Sequence, residues 1–381
     1  MRFLHTSDWH LGAGEGTKSL LKDQEYFIDD ICRIITENAV DAVLLAGDVY
    51  DTSVSTREAI RLYDRTMSRL CLDMHVPVLM IAGNHDSSER LSTCRDLLSG
   101  AGLYVAGEVE RMPNIVEIGD SDIYLLPWIT EEKVKSVFPE SKESIKSLED
   151  AYRVVLDMLR ESFRPGKRHI LVAHAYIENC PTSESDHAAV IGTASQVSAK
   201  LFDGFDYVAL GHLHAPNDVT KTIRYSGTPM AYSFGDEEKQ TKSVTIIDTA
   251  DMSRTVVPVR QLHCRTTITG TLEEVLHPNV TEEVRTGYVK LIVTDSYIGT
   301  EAAARLRDIY PELCDWHGTE YTSTGGKTVM TMEEFEALAD DPIEILRRFC
   351  SEKIGIELTE HQTELFTKAV EEVENSETVI S

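Results

Sequence analysis

Residues 42–51 read Ala-Val-Leu-Leu-Ala-Gly-Asp-Val-Tyr-Asp. The apolar run Ala42 to Ala46 is too short for a buried helix, and its branched residues and terminal glycine fit a strand covered on both faces. Acids follow at once, so Asp48 and Asp51 are delivered to the end of that strand. The same grammar recurs along the chain. Phe3-Leu4 leads to Asp8-Trp9-His10, and Val76 to Ala82 leads to Gly83-Asn84-His85-Asp86. Ile170 to Ala173 ends on His174, and Tyr207 to Leu210 ends on Gly211-His212-Leu213-His214. Ile123 to Leu126 is a further buried strand.

Amphipathic helices fall between these strands. Ser55 with Glu58 reads as a capping box, followed by Ala59, Leu62, Tyr63, Thr66 and Leu70 along one face. Another helix is expected from Ser87 or Ser88 to Gly100, with Leu91, Cys94 and Leu98 as its stripe. Alternating strand and helix predicts an α/β domain built on parallel strands. The sheet should turn mixed where strands near Tyr225, Val244 to Ile247 and Thr255 to Val259 follow one another without long helices.

The polar residues at these strand ends form a donor set. Asp8 and His10 are expected to alternate along a strand end and so project together, as are His212 and His214. One ion would take Asp8, His10, Asp48 and His214; a second would take Asp48, Asn84, His174 and His212, with Asp48 shared. Mixed oxygen and imidazole donors suit Mn2+, Fe2+ or Zn2+ better than Mg2+ or Ca2+. Two such ions side by side are a device for breaking phosphate esters. Taken singly, each signal means little. Asp-x-His is common in surface turns, His174 alone reads as a core histidine, and Gly-Asn-His-Asp is a good turn sequence. Their joint occurrence at successive strand ends is what argues for a site.

The chain has 381 residues, 42% hydrophobic and 27% charged, the composition of a globular protein with more than one domain. No run approaches a membrane span and no secretory leader is expected at Met1. Seven cysteines, scattered and without a C-x-x-C pair, favour a reducing cytoplasm over a disulfide framework. Asp and Glu number 64 against 37 Lys and Arg, a net charge of −27. Such a chain repels nucleic acid at long range, and any grip on DNA would need ions, local arginines or a partner.

Past Leu262 the texture changes. Strands near Thr266 to Gly270, Gly287 to Thr294 and Cys314, with helices near Thr281 to Arg285 and Thr300 to Tyr310, suggest a small α+β unit. Gly325-Gly326 marks a linker. The tail from Thr331 has 14 acidic and 4 basic residues, hence −10. Asp341-Pro342-Ile343-Glu344 and Thr359 with Gln362 read as helix starts, and Leu365, Phe366, Ala369, Val370 and Val373 form an apolar stripe. The expected division is therefore 1–260, 261–325 and 326–381.

The order D-x-H, G-D-x-x-D, G-N-H-D, H, G-H-x-H is similar to that of the calcineurin-like metallophosphoesterases. The longer strings His5 to Gly12, Ala46 to Thr52, Gly83 to Ser87 and Tyr207 to His214 resemble the SbcD nuclease subunits, as does Gly227-Thr228-Pro229 followed by Ser233-Phe234. One departure is Ala215-Pro216-Asn217, where that family commonly carries Arg and then Gln. The resemblance implies two mixed sheets packed face to face and flanked by helices, with a small α+β capping domain and a helical tail. It also implies manganese-dependent cleavage of DNA, as an ATP-dependent 3′ to 5′ exonuclease on duplex ends and an endonuclease on hairpins. His85 would stabilise the transition state or protonate the leaving oxygen. Asp86 would orient His85 or a ligand, and Asp51 would brace the bridging loop. An SbcC-type coiled-coil ATPase is the implied partner of the tail, within a heterotetramer whose homodimer contact involves Leu62 and Leu98.

Alternatives stand beside this reading. The chain's acidity favours a stand-alone phosphoesterase acting on small phosphate esters or cyclic nucleotides. A scaffold without chemistry would lack ligands, yet no ligand position is vacant. The row Arg57, Arg61, Arg65 and Arg69 is either a solvated helix face or a DNA-phosphate contact.

Overall fold

The computed structural model describes residues 1–16, 18–186, 196–295 and 300–318, with residues 347, 359, 362–363 and 365–368 of the tail. The chain divides into two compact units. One comprises Met1–Thr267, Val280–Lys290 and Tyr310–Cys314; the other comprises Ile268–Asn279, Leu291–Ile309 and Asp315–Ser381.

The first unit holds two six-stranded sheets. In one, the order is Ser253–Pro258, Ser243–Asp248, Arg2–Thr6, Ala42–Leu45, Val78–Ile81 and Leu103–Ala106. In the other it is Asn217–Asp218, Ile223–Tyr225, Tyr207–Gly211, Arg168–His174, Ser121–Leu126 and Ile115–Ile118. Arg2–Thr6, Ala42–Leu45, Val78–Ile81 and Leu103–Ala106 run parallel, and the two strands on the other flank are antiparallel. In the second sheet Ser121–Leu126, Arg168–His174, Tyr207–Gly211 and Ile223–Tyr225 are parallel between antiparallel edges. Both sheets are therefore mixed, as expected.

Alternation along each strand assigns its two faces. Phe3, Ala42, Leu44, Leu79 and Ile81 of one sheet meet Ile123, Leu125, Ile170, Val172 and Ala209 of the other in a dry layer. The intervening Leu4, Val43, Leu45 and Met80 pack outward under the helices Leu21–Glu37 and Arg57–Ser68. Leu171, Ala173, Val208 and Leu210 pack outward against Leu148–Glu161. A layer of helix, sheet, sheet and helix results, because both faces of each sheet are apolar.

Two helix expectations are corrected. The helix after the Asp48 loop begins at Arg57, and its cap is Thr56, not Ser55; Thr56 Oγ1 accepts from Ala59 N at 3.2 Å. The helix expected from Ser87 to Gly100 is broken into Ser88–Leu91 and Arg95–Ser99 by Cys94, whose φ is 60°. Leu62 is 4% exposed and packs in its own core, whereas Leu98 is half-buried. Helices Leu21–Glu37 and Leu148–Glu161 are additions to the sequence reading.

Strands Arg265–Gly270, Tyr288–Val293 and Leu313–Gly318 form a three-stranded sheet, close to the strands expected there. Helix Leu272–Leu276 carries a complete Thr271–Glu274 capping box, and Thr300–Ile309 is helical. Thr359 and Gln362 cap each other reciprocally, at 3.0 Å and 3.3 Å, and Leu365 is exposed. The expected linker at Gly325-Gly326, the helix start at Asp341-Pro342, and Ala369, Val370 and Val373 lie outside the described residues. Among the described residues no helix is long and apolar enough to cross a membrane.

Candidate metal centre

The parallel strands of both sheets deliver their following turns to one place. Strand Arg2–Thr6 stops before the candidate ligands, so Asp8 and His10 do not alternate along a strand. Instead both adopt left-handed backbone, with φ of 53° and 43°. Asp48 (φ 48°) and His212 (φ 104°) do the same after their strands. Non-glycine residues rarely sit there, and each such turn stores backbone strain. The first two turns run side by side: Asp8 N donates to Gly47 O and His10 N to Asp48 O, both at 3.0 Å. Gly83 makes the crossing possible, because a Cβ there would stand 2.7 Å from Asp48 Cγ.

Seven expected ligands, Asp8, His10, Asp48, Asn84, His174, His212 and His214, converge in two overlapping groups. His174 Nε2 and His212 Nδ1 each lie 3.0 Å from Asn84 Oδ1. His174 Nε2 is also 3.4 Å from Asp48 Oδ2. In the other group His10 Nε2 lies 3.2 Å from His214 Nε2 and 3.9 Å from the same Asp48 oxygen. Asp8, His10 and Asp48 bring their ligand atoms within 4.8 Å of one another. Asp48 Oδ2 thus faces both groups.

The donor chemistry fits cations. His174 Nδ1 must donate to the Ala46 carbonyl, 2.8 Å away, so a neutral ring turns a lone pair from Nε2 toward two oxygens. His214 Nδ1 donates to Ser185 Oγ at 2.6 Å, because that hydroxyl gives its own proton to Glu237. Its Nε2 lone pair then points at His10 Nε2. Lone pairs aimed at one another from buried groups are costly unless a positive charge lies among them.

Titration behaviour agrees with that picture. Burial disfavours charge on His174, but Asp48, then Asp8 and the Ala46 carbonyl, outweigh it and push the imidazole up to about 9. Burial alone would raise Asp48, yet His174 and His10 hold it well below the usual carboxylate range. His212 is driven down to about 3 by burial and by His174. Without an ion, a proton on His174 therefore fills part of the cation's place.

The surrounding groups divide their work differently from the expected scheme. Asp86 does not touch the His85 ring; its carboxylate accepts from the amides of Gly83, Val49 and Tyr50 at 2.9 Å to 3.1 Å and so braces the Asp48 loop. Burial and then Asp48 push Asp86 up to about 6. Asp51 instead orients His85, whose Nδ1 donates to the Asp51 carbonyl at 2.8 Å, and its carboxylate stands 3.4 Å from His10 Nδ1. The His85 amide donates to Asp48 Oδ1 at 2.9 Å, and its ring lies 4.9 Å from that of His10.

Sequence reasoning missed several neighbours. Trp128 stacks on His212 at 5.3 Å and meets His174 edge-on at 5.8 Å. Ser7 donates to Asp8 Oδ2 at 2.5 Å. Tyr232 donates to the Trp9 carbonyl and sets its ring 5.6 Å from His10. Only a Ser beside a ligand Asp and an aromatic after Leu125-Leu126-Pro127 hinted at these roles. A cleft of ≈ 160 Å³ opens onto the group, lined by His10, Asp48, Asp51, His85, His212 and His214 among others. Of the arginine row, Arg65 pairs with Glu25 at 3.0 Å and Arg69 with Asp29, while Arg57 and Arg61 are exposed.

Comparison with known proteins agrees with this geometry. The calcineurin-like phosphoesterase family matches residues 1–216. The SbcD subunit of the SbcCD nuclease of Staphylococcus epidermidis is 32% identical over 317 residues, covering 82% of this chain and 84% of its own. That of Staphylococcus saprophyticus is 30% identical over 371 residues, covering 97% of each. Among solved structures, TT1561 of Thermus thermophilus aligns with a TM-score of 0.39 at 12% identity, covering 68% of this chain and 99% of that one. A buried bridging carboxylate flanked by imidazoles at the strand ends, together with the family and SbcD matches, places the chain in the calcineurin-like phosphoesterase family, among the SbcD subunits of SbcCD nucleases.

Proposed function

We propose that this protein is the nuclease subunit of an SbcCD-type complex, cleaving DNA phosphodiester bonds with two divalent ions, Mn2+ foremost. The observation that carries the proposal is Asp48, whose Oδ2 faces two groups of donors at once. Asp8, His10, Asp48 and His214 would hold one ion; Asp48, Asn84, His174 and His212 the other. When bound, the pair would neutralise the phosphodiester and lower the pKa of a water so that it can attack phosphorus.

The chain's own residues supply the rest. His85 gives its Nδ1 proton to the Asp51 carbonyl, which leaves Nε2 as the nitrogen available to a substrate oxygen. From there it would steady charge on the phosphate or hand a proton to the leaving sugar oxygen. Asp86 holds the bridging loop and Asp51 aims His85. Trp128 presses His212 into place. Exposed Arg57 and Arg61, near the start of the helix after the bridging loop, would meet DNA phosphates; Arg65 and Arg69 are already neutralised.

The relatives' names supply the finer reading. The protein would act with an SbcC-type coiled-coil ATPase in the cytoplasm, as a homodimer within a heterotetramer. Its activities would be an ATP-dependent 3′ to 5′ exonuclease on duplex ends and a hairpin endonuclease, serving replication, recombination and repair. Residues 261–325 would cap the site and residues 326–381 would dock on the ATPase. A partner that supplies DNA grip would also offset the net charge of −27. The test is cleavage of hairpin and linear duplex DNA, with and without the ATPase, in Mn2+ and in Mg2+. Hydrolysis of small phosphate esters with none of DNA under all these conditions would overturn the proposal in favour of a stand-alone phosphoesterase.

A further inference from the structure

His214 is held at every polar atom it has. Its amide donates to Asp186 Oδ1 at 3.0 Å, and its carbonyl accepts from Lys242 Nζ at 3.1 Å. Its Nδ1 meets Ser185 Oγ at 2.6 Å. Behind that hydroxyl stands Glu237, which accepts the Ser185 proton and pairs with Lys242 at 2.7 Å. Glu237 is 1% exposed and Lys242 3% exposed. A buried ion pair of this kind contributes little net stability, since desolvation offsets its attraction. Its direction, however, is informative. A charged carboxylate can only accept, so Ser185 must point its proton at Glu237 and its lone pair at His214. The His214 ring is thereby locked with hydrogen on Nδ1 and a bare Nε2 turned toward His10.

His10 is treated otherwise. Its Nδ1 is buried without a hydrogen-bond partner, and the nearest carboxylate oxygen, on Asp51, is 3.4 Å away. One wall of this half of the centre is fixed and the other can adjust.

We propose that Ser185, oriented by the buried Glu237–Lys242 pair, is the positioning residue that presents His214 to one of the two ions. The proposal rests on the two-ion reading above. It makes the loop Ser183–Asp186, far from any of the sequence motifs, part of the metal centre.

The test titrates Mn2+ into metal-stripped wild type, Ser185→Ala and Ser185→Thr, following bound ion by calorimetry and by electron paramagnetic resonance, with melting of each stripped protein in parallel. Ser185→Ala should weaken one ion by about 10- to 100-fold and leave the other unchanged, with melting of the stripped protein preserved. Ser185→Thr keeps the hydroxyl and should restore the lost affinity. Wild-type binding of both ions by Ser185→Ala, failure of Ser185→Thr to restore it, or equal weakening of both ions would each overturn the proposal. Wild type that takes up fewer than two ions would instead bring down the two-ion reading itself.

Discussion

Replacing Gly83 by alanine inserts a methyl group at the crossing of the two ligand loops. Its Cβ would lie 2.7 Å from Asp48 Cγ, and nearer still to Asp48 Oδ1 and the Asp48 amide. Ordinary contact begins at 3.4 Å, so the carboxylate must withdraw by roughly 0.7 Å at its carbon and further at its oxygen. There is little room for that. Oδ1 is held by the His85 amide at 2.9 Å, and Asp86 ties the Gly83, Val49 and Tyr50 amides together. A shift on this scale in a shared ligand is expected to lower turnover about 100-fold, or about 2.7 kcal/mol in the barrier. Overpacking should also cost about 1–3 kcal/mol of fold stability. Hydrolysis of bis(p-nitrophenyl) phosphate in Mn2+, metal content by mass spectrometry and thermal melting measure the three effects separately. Gly100→Ala is the control, because its nearest neighbour would be the Leu97 carbonyl at 3.4 Å. Turnover of Gly83→Ala within about threefold of wild type, with both ions bound, would refute the reasoning.

Other perturbations have equally definite outcomes. His85→Ala should lower DNA cleavage by at least about 100-fold while Mn2+ content stays at the wild-type level; intact cleavage would remove His85 from the chemistry. Asp86→Asn weakens the acceptor shared by three amides and should lower stability by about 1–3 kcal/mol in a denaturant titration. Leu79→Ala in the layer between the sheets, where Leu79 is fully buried, should cost about 2–5 kcal/mol by the same measurement. His174 is raised to about 9 in the ion-free protein, so its contribution to stability is complete below an ordinary imidazole pKa of about 6.5 and fades as pH climbs toward that value. The stripped protein should therefore lose stability between those limits, and Mn2+ uptake near neutrality should release a proton, detectable by calorimetry in buffers of different ionisation enthalpy.

Much of this architecture is legible in the primary structure, for a physical reason. Each candidate ligand follows a buried strand within a few residues, so an apolar run predicts both the strand and where its polar end emerges. Ala42 to Ala46 before Asp48 and Tyr207 to Leu210 before His212 are clear instances. The conformation of those ends is not legible: Asp8 and His10 face one another across left-handed turns, which residue periodicity does not encode. Helix Leu21–Glu37 has no side-chain cap and so gives no start signal, although Ser147, which accepts from Asp150 N, does give one for Leu148–Glu161. Ser55 and Thr56 are both competent caps, and only the folded backbone chooses between them. Ser185 and Glu237 are ordinary polar residues, 29 and 23 positions from His214 in the chain, and nothing local marks them as its supports.

The left-handed backbone at Asp8, His10, Asp48 and His212 has an evolutionary consequence. Glycine would relax each of those positions, at about 1 kcal/mol or more apiece, and would delete a ligand each time. A breeding programme rewarding heat resistance alone would drift toward such replacements and end with a sturdier, inert protein. Only continued demand for catalysis keeps the more expensive residues where they are.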